Sequence, residues 1–188
     1  MKARRVELSL PIEAGTLPDP ERVVPVFHAW IRDRAIDEVL VDVARYGHVK
    51  EGPVVMLVGQ SSDYVIDVTH EGTRLAAVRK RDAASDAERL PDVAERLLVA
   101  AALLSAALPE LRFRTDELTL RVLDRLNAPN TSETFALLSE EVGRFAREWL
   151  GPVELEHAGE PGGPLEIRLR RADNEPVAAL SARLPARA

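Results

Sequence analysis

Hydrophobic side chains recur along this chain with two periods. Val6, Leu8 and Leu10 alternate with Glu7 and Ser9, the pattern of a strand with one buried face, and Pro11 ends it. Val39, Val41 and Val43 alternate with Leu40, Asp42 and Ala44 as a second strand. Residues 54–58 are apolar on both faces, which predicts a central strand. Tyr64, Ile66 and Val68 form a third alternating run, and after the turn at Glu71-Gly72 residues 73–80 form the next. Short strands joined by tight turns predict an antiparallel meander. Leu118, Leu120 and Val122 predict a further strand, with a helix as the alternative there. Val153 and Leu155, then Leu165, Ile167 and Leu169, predict a hairpin around the turn at 159–164. The tail at 177–184 reads as one more edge strand or as a loosely held end.

The second period is helical. Asp19-Pro20 has the form of an N-cap followed by proline at the first helical position, and Val23, Phe27, Trp30 and Ile31 share one face. Pro25 sits inside that run, so the regular helix is expected to begin near Val24. Residues 81–90, charged and rich in Ala and Asp, read as a linker or exposed loop. Pro91 then opens a helix, 91–108, greasy enough to be buried nearly all round and too short to span a bilayer, which takes about 20 apolar residues. Asn130 with Glu133 three residues on resembles a capping box. The helix behind it carries Phe135, Leu138, Val142, Phe145 and Trp149 on one stripe and stops at Gly151-Pro152.

These elements predict a single α+β domain over 1–188, with a mixed, largely antiparallel sheet or sheets and three main helices. Residues 6–58 and 118–169 share the order strand, loop, capped helix, strand, strand. That shared order raises a β-α-β-β duplication, with pseudo-equivalent halves at 1–80 and 112–172 joined by the buried helix.

Composition narrows the classes. Apolar residues make up 46% and charged residues 30%, a globular balance, while aromatics at 4% leave the core to aliphatic packing. The net charge of −6 argues against nucleic acid as a partner. The absence of cysteine excludes disulfides, thiolate metal sites and a cysteine nucleophile, and makes the cytoplasm the simplest home. Met1-Lys2-Ala3-Arg4-Arg5 leads into the first strand without an apolar signal core, and no membrane association is expected.

Candidate chemistry gathers between Asp42 and His70. Tyr46, His48, Asp63, Asp67 and His70 lie near predicted strand ends, where imidazoles and carboxylates are the groups that bind a divalent ion or act as a general base. The spacing adds nothing beyond proximity, and Asp67 alternates with Ile66 and Val68, away from the apolar face. His28 and His157 have no ligand-like partner in sequence. The glycines at 159–163 lack the Gly-Lys-Ser/Thr ending of a phosphate loop, and no Gly-x-Ser-x-Gly elbow surrounds Ser61 and Ser62. Arg168 and Arg170 are expected to face Glu154 and Glu156 across the last hairpin.

The segments Val41-Asp42-Val43-Ala44-Arg45-Tyr46-Gly47-His48-Val49, Gly52-Pro53-Val54-Val55-Met56-Leu57-Val58-Gly59, Tyr64-Val65-Ile66-Asp67 and Asp124-Arg125-Leu126-Asn127-Ala128-Pro129-Asn130-Thr131 resemble a family of bacterial proteins of about this length to which no activity is attached. Some members carry His-Glu where this chain has Gln60-Ser61, which implies that any site built on that pair is missing here. The expectation is therefore a non-catalytic binding or interaction protein without a cofactor, acting as a homo-oligomer or as a subunit of an assembly. The alternative is a small-ligand- or divalent-metal-binding enzyme built on Tyr46, His48, Asp63, Asp67 and His70.

Overall fold

The computed structural model describes residues 5–16, 19–47, 54–69, 72–80 and 88–185. Strands β1 (Val6–Ile12), β2 (Leu40–Tyr46), β3 (Val54–Gly59), β4 (Ser62–Thr69), β5 (Gly72–Arg79), β6 (Glu117–Val122), β7 (Glu154–Ala158) and β8 (Leu165–Arg170) form one eight-stranded sheet in the order β2-β3-β4-β5-β1-β6-β8-β7. Every pairing is antiparallel, so the expected mixture of strand directions is not present. The helices are α1 (Pro20–Asp33), α2 (Arg89–Ala107), α3 (Ser132–Leu150) and the short α4 (Val177–Arg183). The fold is α+β.

Alternation decides which side of the sheet each residue joins. Val6, Leu8 and Leu10 of β1, Leu57 of β3, Tyr64 and Ile66 of β4, Leu118 and Leu120 of β6 and Ile167 of β8 pack with the helices in one continuous core. Phe27 and Trp30 enter it from α1, Leu97 and Leu104 from α2, Trp149 from α3 and Leu180 from α4. Among the described residues no helix is long and apolar enough to cross a membrane.

Several local expectations change. Helix α1 begins at Pro20, with the Asp19 carboxylate accepting the Glu21 N–H at 2.9 Å, and runs through Pro25. A mid-helix proline costs about 3 kcal/mol. Burial of Val23, Phe27 and Trp30, each worth roughly 1.5–3 kcal/mol, outweighs that. Arg89 and Leu90, expected in a loop, are buried in the first turn of α2. The cap of α3 is Thr131 rather than Asn130, because the Asn130 amide is used across the chain. Its Oδ1 meets His157 Nε2 at 2.7 Å, and its Nδ2 donates to the Glu160 carbonyl. The tail is a helix and not a strand: Val177, Leu180 and Leu184 have helical spacing, and Trp149 Nε1 donates to the Leu180 carbonyl at 3.0 Å.

For two strands the order reads alike outward from the β1–β6 pair, with β5 then β4 on one side and β8 then β7 on the other. The hairpin beside β1 is thus β4–β5. The β2–β3 hairpin, which the sequence match sets against β7–β8, lies at the far edge.

Candidate functional site

The second face of the sheet carries a separate apolar cluster of Val65, Ala76 and Val78, with Val54, Met56 and Leu123 against it and no helix residue within it. The strand registers lay this face out in rows. In the middle row Ala44, Met56, Val65 and Ala76 run across β2 to β5. The row continues as Ser9, Thr119, Arg168 and Glu156 across β1 to β7. Beside it, Asp42, Val58, Asp63 and Val78 give way to Glu7, Arg121 and Glu166. On the other side lie Tyr46, Val54, Asp67 and Arg74. The face is therefore divided: its middle row is apolar over β2–β5, with Asp42, Asp63, Asp67 and Arg74 in the flanking rows, and polar or charged side chains fill the rows over β1, β6, β8 and β7.

The charged side chains of this face are locked by their own ion pairs. Asp67 Oδ2 lies 3.0 Å from Arg74 Nη2, which also reaches Glu7 at 3.6 Å. Glu7 meets Arg121 Nη1 at 3.3 Å, and Arg121 Nε meets Glu166 at 2.8 Å. Burial works against the Arg121 charge, but Glu7 and Glu166 together raise its pKa above the ordinary value. To reach Glu7 from its place opposite Pro11, Arg74 must lay its stem over Ala76 and Ser9, and both are buried. Arg170 pairs with Glu156 at 2.8 Å across the last hairpin, as expected, and also with Glu117 of β6 at 3.1 Å.

Three of the sequence-predicted site residues share this face, but they do not converge. Asp63 and Asp67 stand four residues apart on one strand, about 13 Å. Asp63 is held by Lys80 Nζ at 2.7 Å and Asp67 by Arg74. Tyr46 lies at the edge, 44% exposed. His48 and His70 lie outside the described residues. Among the described residues no three His, Asp or Glu side chains gather as a metal site. His157 faces the helix side, stacked on Phe135 with ring centroids 4.8 Å apart.

Other polar features were not foreseen. A cleft of about 580 Å³ opens where the two halves of the face meet, floored by Ser9 and Thr119 and walled by Arg74, Arg168, Glu117 and Glu166. On the helix side a buried network joins the loop after α1 to α2 and β4. The Glu38 carboxylate accepts the N–H groups of Ser61 and Ser62 at 3.0 and 3.1 Å and the Tyr64 hydroxyl at 2.8 Å. Arg96 Nη1 lies 3.1 Å from Glu38, and Asp92 joins Arg96 Nε at 3.1 Å to Arg79 Nε at 2.5 Å. Burial, with the Glu38 charge and hydrogen bond adding to it, pushes the Tyr64 hydroxyl above its usual range. Burial opposes the Arg96 charge, but Asp92 and Tyr64 raise its pKa. Carboxylates and guanidiniums balance here, and the geometry is that of a clamp on the β3–β4 turn. Asp92 and Arg96, one helical turn apart inside a greasy helix, were the available sequence signal.

Comparison with known proteins adds no function. No family model and no curated protein matches this chain.

Proposed function

We propose that this protein is a non-catalytic interaction module that self-associates through the β2–β5 half of the sheet face that no described helix covers. One observation carries the reading. Strand β3 is apolar on both sides; Val55 and Leu57 are buried toward the helices, while Val54, Met56 and Val58 are half-buried on the face that no described helix covers. Val39, Val41 and Tyr46, at 61%, 62% and 44% exposure, extend this apolar surface to the sheet edge. A sheet with a second greasy face calls for a second layer. The patch sits at one end of the face, so a twofold axis beside β2–β3 brings patch against patch and leaves the ion-paired halves in water. A second copy therefore fits it, and a cysteine-free chain suits the reducing cytoplasm, where we place the dimer.

Light scattering after gel filtration, with sedimentation equilibrium, tests this. Wild type is expected to dimerise at micromolar concentration. Met56→Glu, and Tyr46→Glu at the exposed rim, are expected to raise the dissociation constant at least about tenfold with unchanged circular dichroism. A wild type that stays monomeric at about 100 µM, a concentration at which a micromolar dimer is mostly formed, overturns the proposal.

A further inference from the structure

Strand β2 ends the sheet, and among the described residues no strand pairs with its outer side. Such an edge is a template for another strand unless something blocks it. The hydrogen bonds show which backbone groups face outward. Gln60 donates its N–H to the Val39 carbonyl at 2.8 Å, while Leu40 stands opposite Gly59. That makes Leu40–Gly59 a non-hydrogen-bonded pair, with the Leu40 backbone groups turned away from β3. A bulge follows, and Asp42 pairs with Val58 and Val43 with Leu57. Because the extra residue shifts the alternation by one, Val41 and Asp42 both face β3, and the Val43 N–H and C=O point outward. At that outward donor the Asp42 carboxylate folds back and accepts the Val43 N–H at 2.8 Å.

We infer that Asp42 guards β2: by occupying the Val43 N–H and placing a negative charge over the open edge, it keeps a second copy of β2 from extending the sheet. The strand is otherwise suited to pair with itself. In an antiparallel register centred on Ala44, Val43 exchanges both backbone hydrogen bonds with Arg45 of the second copy. Ala44 faces its twin at the close spacing of a non-hydrogen-bonded pair, and Asp42 lies opposite Tyr46 of the second copy. No like charges meet in that register. What opposes it is the captured donor and the carboxylate that must be displaced from it.

This inference does not depend on the face-to-face dimer, and the experiment keeps the two apart by working in the Met56→Glu background, where the apolar patch is disabled. Adding Asp42→Ala is expected to lower the concentration for half-association by at least about tenfold in sedimentation equilibrium. Adding Val43→Pro to that variant should return it to the parent's behaviour, because proline removes an outward N–H that the β2–β3 ladder does not use. An independent reading comes from hydrogen exchange under conditions where both chains are monomeric: the Val43 amide should exchange about tenfold faster in Asp42→Ala than in its parent. Unchanged association together with unchanged Val43 exchange overturns the guard. So does association that survives Val43→Pro, since it would then run through some other surface.

Discussion

The clamp around Glu38 offers the sharpest test of whether the buried polar cluster holds the fold or serves a ligand. Glu38 is 4% exposed at its side chain and accepts from two backbone N–H groups, one hydroxyl and one guanidinium. Glu38→Ala leaves the Tyr64 hydroxyl and the Ser61 and Ser62 N–H groups without their acceptor. Each buried donor so orphaned costs about 1–3 kcal/mol. Arg96 keeps Asp92 as a counter-ion, so its loss is smaller than the roughly 3–5 kcal/mol of a fully broken buried pair. The expected total is about 3–5 kcal/mol, because the half-exposed turn lets water reach part of what is lost. For a chain of this size that lowers Tm by about 6–20 °C.

Urea unfolding followed by tryptophan fluorescence measures it directly, since Trp30 and Trp149 both lie in the core. The m-value should not change, because the native surface does not. A double-mutant cycle with Tyr64→Phe should give a coupling of about 1–3 kcal/mol across the 2.8 Å bond. A Glu38→Ala protein within about 0.5 kcal/mol of wild type would refute the clamp. A stabilised one would mean that the carboxylate is held at a cost, as binding sites are, and the network would have to be read as a site.

Two further outcomes follow from single contacts. The raised pKa of Tyr64 means that the folded chain holds the phenol neutral; stability from this residue is intact below about pH 10 and falls as pH climbs beyond it. In a Tyr46→Phe background, leaving one of the two tyrosines, tyrosinate absorbance should therefore appear together with loss of circular dichroism and not before it. Trp149→Phe should cost about 2–3 kcal/mol by orphaning the Leu180 carbonyl and opening a cavity. Limited proteolysis should then cut within 177–183 sooner than in wild type.

Where one period dominates, the sequence is a good guide to this molecule. Each predicted run within the described strands is a strand, because a half-buried sheet imposes alternation, but in β2 the bulge between Leu40 and Asp42 breaks it, so Val43 joins Leu40 against the helix-side core while Val39 and Val41 are exposed. The tail misled because Val177, Leu180 and Leu184 are too few to separate a two-turn helix from an alternating edge, and only Trp149 beneath them decides. The cap of α3 shifted by one residue because Asn130 and Thr131 are both good caps, and the choice rests on His157, distant in sequence. Residues 54–58 carried the most informative signal. Apolar on both faces, they predicted a central strand; β3 is instead second from the edge, with one greasy side on the helices and the other on the open face. The site residues near the strand ends were chosen by type alone. Type does not reveal that Asp63 and Asp67 are each answered by a cation one strand away.

Strand order also bears on where a partner approaches. Helices cover one face of the sheet. The β7 edge is short and presents Glu154 and Glu156, and the β2 edge has a bulge and Asp42, so both edges carry devices that discourage strand addition. The charged half of the open face is satisfied by its own ion pairs and gains little by losing water. What remains is the apolar surface of β2 and β3, with Val39, Val41 and Tyr46 exposed and Val54, Met56 and Val58 half-buried beside them. Association costs about 4–15 kcal/mol in lost freedom. Apolar burial must offset that cost, so a micromolar dimer needs nearly the whole patch covered, which is why one charge at Met56, in its middle row, should be enough to dissolve it.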